Sequence, residues 1–164
     1  MGPVQPNRAR ALELRPADRD DEPFLFALYV STRAEELAIV PWDDAQKEAF
    51  LRMQFDAQRR HYATHYPAAA HDVVLVDGEP AGRLYVDRRE EEIRIVDIAL
   101  LPVYRGRGIG TALLTPILEE ADAGGKTVSI HVEHNNRARR LYERLGFAQV
   151  EDQGVYALLE RRPS

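Results

Sequence analysis

The segment from Arg105 to Gly110 reads Arg-Gly-Arg-Gly-Ile-Gly and carries the most chemical information in this 164-residue chain. Glycine has no Cβ, so a backbone rich in glycine can approach a ligand closely. A strand-like apolar run, Ile93 to Leu101, precedes the segment, and an apolar-periodic helix begins near Gly108. The first amides of a helix have no partner within the helix and carry partial positive charge. The pattern therefore predicts a diphosphate site built from backbone amides.

Three kinds of diphosphate site would use such a loop, and the surrounding residues separate them. A P-loop ends in Gly-Lys-Ser/Thr, which Gly108-Ile109-Gly110 does not supply. A Rossmann fingerprint needs Gly-x-Gly-x-x-Gly near the start of a βαβ unit, but Thr111 occupies the third glycine position and four predicted strands precede the loop. The third possibility is a cradle for coenzyme A.

A second segment with candidate chemistry runs from Asn135 to Phe147. Its apolar residues recur at i, i+3, i+4 and i+7, which predicts one face of a helix that Gly146 ends. These residues are Ala138, Leu141, Tyr142 and Leu145. From this periodicity alone, Tyr142 would be a core tyrosine.

Together the two segments resemble motifs A and B of the GNAT superfamily of N-acetyltransferases. Motif A, Arg/Gln-x-x-Gly-x-Gly/Ala, is matched by Arg105, Gly108 and Gly110. The residues that match motif B are Asn135 or Asn136, Ala138, Leu141, Tyr142, Gly146 and Phe147. The resemblance is specific from about Glu92 to Val150, and before Asp72 it is limited to the order of the elements.

The resemblance implies an α/β (α+β) fold: a mixed, mostly antiparallel sheet of six to seven strands flanked by about four helices, in the order β-αα-βββ-α-β-α-ββ. The hydrophobic pattern is consistent with that order. It predicts strands at Ala11–Arg15, Val73–Val76, Pro80–Asp87, Ile93–Leu101, Val128–Val132, Ala148–Val150 and Val155–Leu159. It predicts helices from Asp18 towards Leu37, from Asp43 or Asp44 to about Tyr66, from Gly108 to Gly124, and from Ala138 to Leu145. We expect residues 11–164 to form one domain after a flexible leader, residues 1–10.

The resemblance also implies acetyl-CoA as co-substrate. In the family, backbone amides of the glycine loop hold the diphosphate, and the pantetheine arm pairs with the fourth strand like an added strand. The coenzyme-binding residues that this implies are Ile98, Ala99, Leu100, Arg105, Gly106, Arg107, Gly108, Ile109, Gly110, Thr111, Asn135 and Asn136. Either asparagine fits the family's spacing to Ala138, and asparagine also caps helices well.

Acetyl transfer to an amine needs a group that accepts a proton from the amine and one that protonates the departing thiolate. The resemblance assigns the second role to Tyr142, whose reference pKa of about 10 lies above the value of about 8.5 for a thiol. The base is less defined, because many relatives carry a glutamate on the fourth strand. Asp97 is the first candidate here, followed by Glu133 and Glu36. A water chain or an acceptor of low pKa would also serve.

Composition narrows the classes of function and partner. The chain has no cysteine, so it has no disulfide, no thiolate metal site and no Cys nucleophile, which favours direct attack of the amine in a ternary complex. The net charge of −5, with no basic block, argues against nucleic acid as a partner. The apolar runs are too short to span a membrane. His61 and His65 share a helix face but have no evident third ligand, so we expect no metal.

We therefore expect a cytoplasmic N-acetyltransferase, monomeric or homodimeric, that acts on a small-molecule amine. A protein N-terminus or lysine is the other kind of acceptor. The alternative from a different class is a non-catalytic module of the same fold that binds acyl-CoA as a sensor or docking domain. It predicts coenzyme binding without turnover.

Overall fold

The computed structural model describes residues 11–164, and the predicted leader, residues 1–10, lies outside the described part. The strands are β1 Leu12–Pro16, β2 Ala70–Val76, β3 Glu79–Arg88, β4 Glu92–Leu100, β5 Thr127–Glu133, β6 Ala148–Gln153 and β7 Tyr156–Arg161. The helices are α1 Glu22–Ala38, α2 Asp44–His65, α3 Ile109–Gly124 and α4 Arg139–Arg144. This order confirms the predicted architecture.

The helix starts follow from local side-chain chemistry. Asp43 caps α2 as expected, because its carboxylate accepts from the Gln46 amide while the Gln46 side chain returns a bond to the Asp43 amide. The predicted start of the first long helix at Asp18 is wrong. Asp18 caps a short 3-10 helix, Arg19–Asp21, and α1 begins after it with Pro23 in its first turn.

The seven strands form one sheet in the order β1-β2-β3-β4-β5-β7-β6. Every pair is antiparallel except β4 and β5, which run parallel. The parallel pairing covers only four positions, from Glu92 opposite Thr127 to Ile95 opposite Ile130. Beyond Ile95 the two strands are no longer paired with each other.

An irregularity in β4 coincides with the end of this pairing. Ile95 lies opposite Val86 and Asp97 lies opposite Tyr85, which leaves Val96 as an extra residue without a partner on β3. Such a bulge bends its strand and changes which face the following side chains occupy. Ile95 therefore faces one side of the sheet, and Asp97 faces the other although it is only two residues later.

The two faces of the sheet carry different cores. The α3 and α4 face is apolar and holds the larger cluster, with Ile95, Leu114, Val128 and Tyr142 among its buried members. On the opposite face, α1 and α2 form a smaller cluster that includes Phe26, Leu51 and Phe55. Charged and aromatic side chains of β3, β4 and β5 lie on that second face. No helix within residues 11–164 is long and apolar enough to cross a bilayer.

Candidate active site

A wedge opens where β4 and β5 part. From Asp97 to Leu100, β4 is paired with β3 alone, while β5 from His131 to Glu133 is paired with β7 alone. The facing edges of the two strands are left without strand partners. The predicted pantetheine-binding segment, Ile98 to Leu100, therefore lies on an open strand edge, which is the geometry that strand addition requires.

The glycine loop lies at the end of this edge and leads directly into α3. Gly106 and Gly108 have φ angles of 72° and 78°, a region that side chains rarely adopt, and a Cβ on either would meet no atom within 4 Å. The amide of Ala112 is bonded to the Gly108 carbonyl, whereas those of Ile109 to Thr111 belong to the first turn of α3 and have no intrahelical acceptor. The loop therefore offers open space and free amides together, which fits a diphosphate.

Arg105 has a definite role in holding this loop. Its Nε donates to the carbonyl oxygen of Leu100 over 3.0 Å, so the side chain ties the loop to the end of β4. The Leu100 carbonyl thus already accepts one hydrogen bond from within the protein. Arg107, by contrast, is exposed.

The N-terminus of α3 packs against α4 at a glycine. A Cβ on Gly110 would lie 3.0 Å from Cδ2 of Leu141, which is tighter than ordinary contact. This close approach holds the first turn of α3 against Leu141, the residue before Tyr142. Gly110 thus has a packing role as well as its predicted binding role.

Tyr142 is the buried phenol of this region. Its side chain is 3% exposed and packs edge-on against Phe147, with ring centroids 5.8 Å apart. Burial raises the pKa of the Tyr142 phenol above its ordinary value, and the negative charge of Asp97 raises it further. The phenol is therefore protonated at neutral pH, and the two predicted catalytic residues lie within electrostatic reach of each other although they come from opposite faces of the sheet.

Asp97 lies on the α1 and α2 face, where it is paired with an arginine of the neighbouring strand. Nε of Arg83 donates to Oδ2 of Asp97 over 2.7 Å. The other candidate bases are also paired: Glu133 accepts from Arg33 at 2.8 Å and Glu36 from the same guanidinium at 3.3 Å. Each predicted carboxylate thus has a cationic partner.

The two asparagines have different surroundings. Oδ1 of Asn136 accepts from the amide of Ala138 over 2.7 Å, so Asn136 caps the turn before α4. Asn135 is exposed at the end of β5. Both asparagines fit the family's spacing to Ala138. In the structure the side chain of Asn136 is engaged in the cap, so the side chain of Asn135 is the freer of the two.

Sequence reasoning missed three residues beside Asp97, namely Arg83, Gln58 and Tyr62. Arg83 is only 5% exposed, and its Nη2 donates to Oε1 of Gln58 over 2.7 Å. The Tyr62 ring lies 5.7 Å from the Arg83 guanidinium carbon. An arginine within the mainly apolar run from Ala81 to Val86 was the available signal, because a buried guanidinium requires a partner.

His61 and His65 stack on each other, with ring centroids 4.1 Å apart, and His65 is bonded through Nδ1 to the His61 carbonyl. Within residues 11–164, no group of three or more histidine, aspartate and glutamate side chains is placed to hold a metal ion.

Comparison with known proteins identifies the family. The model of the Acetyltransferase (GNAT) family matches residues 15–147, most of the chain. The chain belongs to the GNAT family. The family match covers the glycine loop, the wedge strands and α4, as the motif resemblance implied.

Among curated relatives, a mycothiol acetyltransferase of Nocardiopsis dassonvillei is 38% identical over 85 residues, which is 51% of this chain and 22% of that protein. A [ribosomal protein bS18]-alanine N-acetyltransferase of Haemophilus influenzae is 37% identical over 62 residues, 37% of this chain and 42% of that protein. The chain thus spans less than half the length of these relatives.

Solved structures match over nearly the whole chain. PaiA N-acetyltransferase of Thermoplasma acidophilum, crystallised with coenzyme A, has a TM-score of 0.70 at 15% identity and covers 93% of this chain and 99% of its own. An acetyltransferase of Thermus thermophilus has a TM-score of 0.66 at 22% identity, with 92% and 96% coverage. At these identities the agreement establishes the fold.

Proposed function

We propose that this chain is an acetyl-CoA-dependent N-acetyltransferase that transfers an acetyl group to a primary amine by direct attack in a ternary complex. The observation that carries the proposal is the open wedge between β4 and β5, with free backbone amides in the glycine loop at its end, and with Tyr142 and Asp97 close enough to interact electrostatically from opposite faces of the sheet. Family membership supports the same assignment.

The coenzyme-binding half works mainly through the main chain. Amides of Gly106 to Thr111 would hold the diphosphate, and the free edge of β4 at Ile98 to Leu100 would align the pantetheine arm. Acetyl-CoA supplies the acyl group as a thioester, which is activated towards an amine. A strand amide beside the wedge is suited to stabilise the developing oxyanion, because a preorganised N–H needs no reorientation during reaction.

The proton transfers are assigned to two side chains. An alkyl amine with a pKa of about 10.4 is mostly charged at neutral pH, so it must lose a proton before it can attack. Asp97 would accept that proton. Tyr142, which its raised pKa keeps protonated at neutral pH, would donate its phenolic proton to the sulfur as the carbon–sulfur bond breaks. The second proton that the amine nitrogen loses as the amide forms would then reprotonate the phenolate.

A small amine is the favoured acceptor. The acidic net charge of −5 suits a cationic substrate. Trp42, 41% exposed and edge-on to Phe50 at 5.2 Å, follows α1 in the segment where the family shapes its acceptor pocket and offers an aromatic face to a cation. The names of the relatives cover both small-molecule and protein acceptors, so the acceptor screen should include both.

The test has two stages. Calorimetric titration with acetyl-CoA and CoA, with NAD and ATP as controls, is expected to give micromolar binding to the coenzyme A species alone. Release of free thiol from acetyl-CoA is then followed against polyamines, amino sugars, amino acids and peptide N-termini. Folded protein that does not bind CoA would refute the proposal. Binding without turnover on any amine would favour the non-catalytic acyl-CoA module.

A further inference from the structure

Arg83 is the most deeply buried arginine beside the wedge. It is 5% exposed, and its guanidinium lies between Asp97 of β4 and Gln58 of α2. Burying a guanidinium is costly unless its charge and its N–H groups are satisfied. Here an ion pair satisfies the charge and the Gln58 amide oxygen satisfies a further N–H. These contacts of Nε and Nη2 hold the guanidinium in one place.

The contacts of Arg83 are directed at one oxygen of Asp97. Both Nε and Nη2 meet Oδ2. Within residues 11–164 no hydrogen bond or ion pair engages Oδ1, and the Asp97 side chain keeps 26% of its surface exposed. The guanidinium thus immobilises the carboxylate through one oxygen and leaves the other to accept a hydrogen bond.

We propose that Arg83 is a positioning residue for the acetyl transfer, holding Oδ2 of Asp97 so that Oδ1 is presented to the acceptor amine in the wedge. The inference rests on the proposed function. The bulge at Val96 turns Asp97 onto the Arg83 face of the sheet, so the side chain is oriented by the backbone and then fixed by the guanidinium. Gln58 and Tyr62 hold the guanidinium from the helix side. Arg83 acts through Asp97 and contacts no substrate itself.

The titratable groups around Asp97 define the pH range in which this arrangement can be tested. From β3, α2 and α4 come Tyr85, Tyr62 and Tyr142, and burial raises the pKa of each phenol. From β2 comes His71, whose pKa burial lowers to about 4. The Arg33–Glu133 ion pair joins α1 and β5 on the same face. The pKa values of these tyrosines are raised and that of His71 is lowered, so all of them are shifted away from the range between pH 7.5 and 9.5.

The experiment compares Arg83→Met with Arg94→Met as a matched control. Arg94 is another largely buried arginine of the sheet, but it is bonded to Ser129 and His131 and not to Asp97. Each variant is assayed with the acceptor amine found by thiol release, and coenzyme affinity is measured by calorimetry. We expect Arg83→Met to lower kcat about 100-fold at pH 7.5, as misplacement of a reacting group does, with the coenzyme Kd within about threefold of wild type.

The pH dependence of the kcat/KM defect distinguishes a misplaced base from a general loss of structure. The neutral fraction of an alkyl amine rises roughly 100-fold from pH 7.5 to 9.5, so an enzyme with a displaced base should recover as the amine loses its proton unaided. The kcat/KM defect of Arg83→Met is expected to shrink about tenfold over this range. In an Asp97→Asn background, adding Arg83→Met should change kcat by less than about twofold, because the two residues act in series.

Three results would overturn the inference: a turnover loss in Arg83→Met no larger than in Arg94→Met, a defect that does not change with pH, or full additivity with Asp97→Asn. If Arg83→Met fails to fold, Arg83→Lys provides the same comparison, since it keeps the charge but not the planar fork of donors. Wild-type protein that turns over no amine refutes the proposed function before any variant is made, and this inference with it.

Discussion

The two sides of the wedge are built on different physical principles. On the side proposed to bind coenzyme A, the site consists of glycines, free amides and a strand edge, all supplied by consecutive residues of β4, the loop and α3. On the side proposed to bind the acceptor, it consists of ion pairs between side chains of different elements, such as Arg33 with Glu133 and Arg83 with Asp97. A site built from main-chain groups tolerates many side-chain substitutions but few changes of backbone conformation. A site built from side chains is sensitive to substitution of those side chains.

The most severe test of this contrast is Gly108→Asp. The residue has φ 78° and faces open space, so the new carboxylate would project towards the diphosphate and repel it. We expect the coenzyme Kd to rise at least about 100-fold, a loss of about 2.7 kcal/mol, measured by calorimetry with CoA.

Gly78→Asp is the matched control for that change, because Gly78 has φ 82° and equally open surroundings in the turn between β2 and β3. Both variants should lose similar thermal stability, since both place a side chain in a strained conformation. Normal coenzyme binding in Gly108→Asp would show that the loop does not carry the diphosphate.

Tyr142→Phe tests the phenol proposed as the general acid. Removing the hydroxyl should lower kcat about 100-fold, the scale of one general-acid contribution, while the coenzyme Kd stays close to wild type. Steady-state kinetics with calorimetry on the same preparation would measure both. If affinity collapses and kcat holds, Tyr142 is a packing residue beside Phe147.

Gly82→Ala tests the pairing of β3 with β4, which supports both sides of the wedge. A Cβ on Gly82 would lie 2.1 Å from the backbone oxygen of Ala99, and a backbone atom cannot move aside cheaply. We expect the free energy of unfolding to fall by about 2–3 kcal/mol, measured by urea denaturation. Gly124→Ala, whose Cβ would meet only the Lys126 side chain at 3.4 Å, should lose much less.

The smallest expected effect concerns stability below neutral pH, and it belongs to the acceptor side. His71 stacks on Tyr85 with ring centroids 4.4 Å apart, its buried Nε2 has no partner, and burial lowers its pKa to about 4. The unfolded chain binds a proton near the reference pKa of about 6.5 and the folded chain does not, so stability should fall as the pH drops from about 6.5 to 4.

Urea denaturation between pH 7 and pH 4.5 would measure this slope in wild type and in His71→Phe, which keeps the stacked ring but cannot titrate. The slope should flatten in His71→Phe and stay unchanged in the control His61→Gln, because His61 lies on the exposed side of α2. An unchanged slope in His71→Phe would mean that His71 does not titrate differently in the two states.

The same contrast explains what the sequence could predict. The strand, glycine loop and helix of the coenzyme side are contiguous, so spacing alone predicts their order and their free amides. The partners of Arg83 lie 14 and 25 residues away in the sequence, and those of Arg33 up to 100 residues away, and no local pattern specifies such pairs. Alternation from Ile93 and Ile95 would even place Asp97 on the apolar face, because a bulge has no clear signature in the residues themselves.

The bulge at Val96 reverses which residues of β4 face each side of the sheet. Before it, odd-numbered residues of β4 belong to the apolar core under α3, and after it they belong to the polar face under α1 and α2. A single unpaired residue thus lets a nine-residue strand contribute to the apolar core and also present the proposed base and the proposed coenzyme edge. If Val96 were paired with β3 and there were no bulge, Asp97 and Ile98 would exchange faces, so the proposed chemistry of this site depends on a change of register as much as on any side chain.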